Sequence, residues 1–341
     1  MARLLRSRSV LAATALSVAF VLAVGWLSVG RAAAPMPDLP SVSPSTLIAS
    51  TLQAVANRTA VSGTVTTHVD LGIPQLPSSL SDPAGPAAIL LADQTFKVWY
   101  GPDGIRVAQI LPFAERDLVA NRSDVWFWDA QRFMAWHYIV DETAPRQSPP
   151  SLGDLTRLVS EVLRDGRSYF AASVAQAQVV AGRDAYVLRL TPATADTLLG
   201  RVDVAIDAET RMPLSLELFP RGSSAAVVEV KYASVAFGPV EASMFTFTPP
   251  QDAVVKQLSD ERSGASGSMR QPPFPDVRVF GRGFGMVLAV RVSDVPADLR
   301  RLFPFSGPLG SADVVDRGDH SWLVVGLAEA TALAEVEPKL P

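Results

Sequence analysis

Apolar and polar residues alternate along most of this chain with a period of two, the signature of half-buried strands. Between 61 and 71, Val65, Thr67, Val69 and Leu71 alternate with Thr64, Thr66, His68 and Asp70. Segments 94–100 and 105–110 flank Gly101-Pro-Asp-Gly104, and 116–120 and 125–128 flank Asn121-Arg-Ser-Asp124. Asp129-Ala-Gln-Arg132 then leads into 133–140. Turns at this spacing predict an antiparallel meander. After a Pro-containing break at 143–150, strand patterns resume at 173–180, 183–191, 201–206, 214–219 and 225–237.

Two stretches carry helical spacing instead. In 45–58 the apolar positions are Leu47, Ile48, Leu52, Val55 and Ala56, with Ser43 or Ser45 as N-cap. In 151–164 they are Leu152, Leu155, Leu158, Val159 and Val162, with Ser151 and Asp154 at the N-cap and third helical position. Both read as amphipathic helices docked on the sheet. Residues 72–92 hold four prolines and two glycines and predict a long loop, including Ala87-Ala-Ile-Leu-Leu-Ala92. That loop is either a rim that meets a membrane or partner, or one that packs back on the domain.

The organisation that follows is a leader at 1–34, a Pro/Ser-rich tether at 35–44, one domain at 45–250, a linker at 251–275 and a small α+β unit at 276–341. That unit is expected to hold a strand at 276–292, a helix at 296–303, strands at 312–316 and 321–325, and a last helix near 329–336. The fold class is α+β, and the main domain is dominated by its antiparallel sheet. In the leader, Arg3, Arg6 and Arg8 precede an uncharged apolar run from Val10 to Gly30. Basic flank then apolar run is an export signal, cut after Gly30-x-Ala32 or kept as an anchor. Either outcome places 35–341 outside the cytoplasmic membrane, secreted or anchored on its outer face.

Composition narrows the function classes. The chain carries 26 Arg against 4 Lys and a net charge of −4, and residues 35–341 hold 26 basic against 34 acidic side chains. An acidic domain without a basic stripe is a poor nucleic-acid binder. With no cysteine, disulfides, thiolate metal sites, a cysteine nucleophile and acylation of the chain itself are all removed. His68, His137 and His320 are scattered, without a ligand two to four residues away, and read as solvent-facing strand residues rather than metal ligands. Gly281-Arg-Gly-Phe-Gly285 lacks the dinucleotide-binding spacing and reads as relief of crowding in a strand. No catalytic residue, cofactor or metal is expected.

The aromatic residues are the sharper candidate. Trp126, Phe127, Trp128, Phe133, Trp136 and Tyr138 crowd together, with Trp99 and Tyr100 upstream. On a strand, Trp126 and Trp128 share one face and Phe127 takes the other. The cluster is either core under the helices or the wall of an apolar cavity. Leu155, Leu158, Val159 and Val162 either close the sheet as structure or form a lid that opens to a ligand.

The order of elements is similar to the LolA-like group of lipoprotein carriers, mycobacterial lipid-carrying lipoproteins and the RseB sensor domain. The residues carrying this resemblance are Gly182 with Tyr186, Leu188 and Leu190, the run Asp207 to Pro213-Leu214, and Phe245-Thr-Phe-Thr-Pro-Pro250. It covers about 45–255. The resemblance implies a curved, helix-lidded antiparallel half-barrel whose apolar cavity takes up acyl chains of a lipid or lipoprotein. The cavity and lid residues are then Trp99, Trp126, Trp128, Leu155, Leu158, Val159, Val162, Tyr186 and Leu188, in a non-catalytic monomeric carrier. The carriers lack a unit like 276–341; RseB-like proteins have one, which implies as the alternative a regulatory module that binds a membrane protein such as a transporter or anti-sigma factor.

Overall fold

The computed structural model describes residues 36–72, 93–139, 159, 163–166, 168–258, 276–292, 295 and 297–341. The leader, most of the 72–92 loop, and Leu155, Leu158 and Val162 of the second expected helix lie outside these. Among the described residues no helix is long and apolar enough to cross a membrane.

The meander forms as the period-two pattern predicts. Eleven strands, β1 (Val61–Val69), β2 (Gln94–Gly101), β3 (Gly104–Leu111), β4 (Ala114–Ala120), β5 (Asp124–Asp129), β6 (Met134–Ile139), β7 (Phe170–Val180), β8 (Arg183–Pro192), β9 (Leu199–Asp207), β10 (Pro213–Pro220) and β11 (Val228–Phe237), pair antiparallel. A twelfth, β12 (Val254–Leu258), joins the edge in parallel with β6. The order is β12-β6-β5-β4-β3-β2-β1-β11-β10-β9-β8-β7. The sheet stays open, yet it curls enough for β7 to approach β11 across three intervening strands. It is the open, helix-bearing antiparallel sheet that the LolA-like resemblance implied. β12 lies inside the stretch expected to be linker, because β6 offers it a free edge that a local sequence pattern does not reveal.

Helix α1 (Pro44–Ala56) starts at Ser43, whose side chain accepts from the Thr46 amide at 3.1 Å, with Pro44 in the first turn. Its Leu47 is fully buried with Tyr186, Leu188 and Ile206, while Ala54 joins Val61, Val65, Val98 and Tyr232. The far end is pinned by the Tyr100 hydroxyl, which donates to the Val55 carbonyl at 2.8 Å. Gly63 is needed beneath: a Cβ there would lie 2.2 Å from the Ser234 carbonyl oxygen and 2.9 Å from the Tyr232 ring. α1 therefore covers one face of the sheet from β8 to β2.

The second unit is a five-stranded sheet in the order β13 (Val277–Phe280), β14 (Val287–Val292), β17 (Ser321–Gly326), β16 (Ser311–Asp316) and β15 (Phe305–Ser306). A short α2 (Ala297–Arg300) connects β14 to β15, and α3 (Ala330–Ala334) follows β17. Trp322 is fully buried with Val287, Ala289, Val324 and Leu333, and its indole donates to the Pro341 carbonyl at 3.0 Å. The expected single strand at 276–292 is a hairpin, broken where Gly281 and Gly283 take φ of 76° and 63°.

Candidate functional site

Register without a bulge from β1 to β6 fixes which side chains share a face. On the α1 face, Val98, Val107, Leu118, Phe127 and Trp136 form one row. On the other face, Trp99, Arg106, Val119, Trp126 and His137 form the next, with Trp128 in the row beside it.

This separates the residues singled out from the sequence. Tyr186 and Leu188 lie on the α1 face with Leu47, and Val159 is buried against Ala49, beside Ile48, Leu52 and Leu163. Trp99, Trp126 and Trp128 lie on the opposite face, away from α1. Trp99 receives the Arg106 guanidinium at 5.7 Å from its ring, and that arginine donates from Nε to Asp117 at 2.8 Å. The tryptophans do not line the same surface as Tyr186 and Leu188.

What covers Trp126 and Trp128 is the chain's own Phe-x-Phe box. After β11, a 3-10 turn (Ala242–Phe245) drives Phe245 under the β2–β3 hairpin, where it is 1% exposed. Asn121 holds the Phe245 carbonyl at 3.0 Å, and a Cβ on Gly104 would come within 3.0 Å of the Phe245 side chain. Phe247 then packs 5.5 Å from Trp126 and 5.8 Å from Trp128 by ring centroids, and the strap ends as β12. Trp128 is buried under this strap and not under the helices, with half-buried Trp126 beside it.

His137 belongs to the same packing. Its ring stacks on Trp126 at 3.8 Å, and its nitrogens meet Asp124 at 2.6 Å and Gln257 of β12 at 3.1 Å. Hydrogen bonds from Ser123 and from His137 hold the Asp124 carboxyl below the usual carboxylate range. His137 and His320 are mostly enclosed, with side chains 14% and 13% exposed, so only His68, at 56%, faces solvent as expected. Among the described residues no His, Asp and Glu group is placed to hold a metal ion.

The α1 face behaves differently beyond β2. Val98 is fully buried beside the Ala54 end of α1, and Val107 is 8% exposed, but Phe127 is 38% exposed. Phe127 and Trp136 meet at 5.4 Å, with Val125 and Tyr138 beside them on the same face. An apolar surface thus continues past the helix. Bordering it on that face is a buried polar row, Gln109, Arg116 and Asp129. Gln109 donates to Gln94 at 2.8 Å, and Asp129 accepts from Arg116 at 3.1 Å and from Arg132 at 2.7 Å. Burial pushes the Asp129 carboxyl up, but the Arg132 and Arg116 bonds outweigh it and hold it low. Sequence reasoning missed this row because Arg116 and Asp129 look like ordinary solvent-facing strand charges.

No family model and no curated protein matches the chain. Several solved structures resemble it. The Pseudomonas aeruginosa MucA/MucB complex shares 16% identity over 86% of this chain and 96% of that one, with a TM-score of 0.46. A LolA superfamily protein from Nitrosomonas europaea shares 10% identity over 61% of this chain and 99% of its own, with a TM-score of 0.24. Mycobacterium tuberculosis lipoprotein LppX shares 10% identity over 58% and 97%, with a TM-score of 0.29.

Proposed function

We propose that this protein is a non-catalytic binding protein that holds an apolar chain, the acyl group of a lipid or lipoprotein, outside the cytoplasmic membrane. The observation that carries this reading is the row Val98, Val107, Leu118, Phe127 and Trp136, which is buried at Val98 and Val107 beside α1 and opens to solvent at Phe127, next to half-buried Trp136. An acyl chain laid along this row replaces water on Phe127 and Trp136 and needs no polar partner, as apolar binding surfaces do. The Arg116–Asp129–Arg132 cluster closes one border and keeps charge away from the row.

The test is titration with 11-dansylaminoundecanoic acid. Replacing Phe127 and Trp136 together by Ser should weaken binding about tenfold or more, the scale of losing one to two buried aromatic contacts. Trp126→Phe, on the opposite face, should leave it unchanged. Equal affinity in all three proteins would defeat the proposal.

A second reading, a regulatory module that binds a membrane protein, is favoured by the five-stranded unit, whose edge strand β13 leaves Val277 and Val279 half exposed. Native mass spectrometry of the protein from its own membrane separates the readings. A bound acyl species supports the first. A stoichiometric protein partner that is lost on removing 276–341 supports the second.

A further inference from the structure

Among the described residues the five-stranded unit meets the large sheet at three places. The Thr197 hydroxyl and the Leu198 amide both donate to the Leu327 carbonyl, at 2.5 and 2.7 Å. Gly307 and Pro308 approach the end of β1, where a Cβ on Gly307 would lie 2.5 Å from the Leu71 carbonyl oxygen. These two contacts lie just before β9 and just after β1, and the third lies at the start of β7.

At the third place the β13–β14 hairpin closes on Tyr169 and Phe170, where β7 begins, and on Asp196, which a Cβ on Gly285 would meet at 2.4 Å. The start of β7 is held to β8 by Phe170 opposite Pro192 and by the Ala193 amide, which donates to the Tyr169 carbonyl. Gly283 has φ of 63°, and a Cβ there would sit 2.8 Å from the Tyr169 Cβ. Arg282 donates to the Tyr169 hydroxyl at 3.2 Å, and Phe284 meets Phe170 edge-on at 6.3 Å. Immediately upstream, the Gly166 carbonyl accepts from both the Tyr169 and Phe170 amides, at 2.8 and 2.9 Å. Residues 163–165 before it are helical, and Leu163 packs with Val159 and Ala49 of α1. Only one tight turn therefore separates a residue packed on α1 from a residue clamped by the other unit.

We infer that Tyr169 and Phe170 are a mechanical joint through which the five-stranded unit controls how the 163–165 turn seats on α1, and through it the affinity of the neighbouring apolar face. This rests on the acyl-binding reading for its final step only. Seating of the turn and clamping of the joint share one short, hydrogen-bonded piece of backbone, so a shift in one biases the other. By linkage the effect is reciprocal: whatever displaces the turn also loosens the clamp.

Gly283→Ala tests the joint, since the added methyl strikes Tyr169 in a backbone conformation that disfavours Ala. Arg282→Ala is a milder second variant that removes only the Tyr169 contact. Hydrogen–deuterium exchange of the full chain without ligand should show faster exchange at 163–170 in both variants, larger for Gly283→Ala. Exchange in β16 and β17 should be unchanged. The affinity for 11-dansylaminoundecanoic acid should shift threefold or more in Gly283→Ala. If Gly283→Ala also loosens β16 and β17, Arg282→Ala alone decides. Exchange changes confined to 281–286, with 163–170 as in wild type, overturn the joint. Faster exchange at 163–170 in a protein that takes up no probe keeps the joint and defeats the acyl-binding reading instead.

Discussion

The two halves of the large sheet are stabilised from opposite sides. From β7 round to β2, α1 supplies the cover, with Leu47 against Tyr186, Leu188 and Ile206 and Ala54 against Val61 and Val98. From β3 to β6 the cover comes from the strap, with Phe245 under the hairpin and Phe247 over Trp126 and Trp128, on the face that α1 never touches. Two covers on opposite faces leave the α1 face of β3–β6 free of the helix. A sheet apolar on both faces normally needs cover on both, so an apolar row that stays partly open marks the place where stability has not been maximised.

The comparison breaks most readily at the strap. Phe245→Ala should cost about 3–5 kcal/mol, the range for emptying a phenylalanine site, read from urea unfolding. Fluorescence from Trp126 and Trp128 should shift to the red before the α1 half loses structure. Leu47→Ala should cost about 2–5 kcal/mol. Here the helical signal should go first, while tryptophan emission stays native-like; simultaneous loss of both signals in the two variants would mean that the halves unfold as one. The smallest effect is electrostatic. On the face away from α1, Glu217 sits between Asp203 and Glu229 in consecutive cross-strand positions. Burial first, then the charges of Glu229 and Asp203, push its carboxyl above the usual range. A raised carboxyl favours the protonated fold, so its contribution is present at acidic pH and lost as pH rises through the folded value. Glu217→Gln should therefore raise Tm by about 1–3 °C at neutral pH, and the gain should vanish below about pH 4. A gain independent of pH would assign it to packing instead.

The same contrast shows which parts were legible in the chain. The alternation at 61–71 and the turn residues at 101–104 and 121–124 placed the strands, because period and turn chemistry are local. α1 was equally legible from Leu47, Ile48 and Leu52. That Trp126 and Trp128 oppose Phe127 also followed from strand geometry alone. Which of those faces looks toward α1 did not, since a face becomes inside or outside only when a distant element lands on it. The Phe245-Thr-Phe247 motif was visible but its task was not: it reaches Trp126 only after the chain has crossed the sheet. β12 was hidden for the same reason, since Val254–Leu258 has an ordinary sequence and becomes a strand only beside β6.

The residues by themselves determined a sheet-rich chain with an amphipathic helix, a second small unit and no cysteine chemistry. Tertiary structure alone decided that Trp128 is buried under the strap with Trp126 beside it, that Phe127 is exposed on the other face next to Trp136, and that Tyr169 ties one unit to the other. The division is physical: periodicity and turns act over a few residues, whereas burial depends on what the rest of the chain brings to each face.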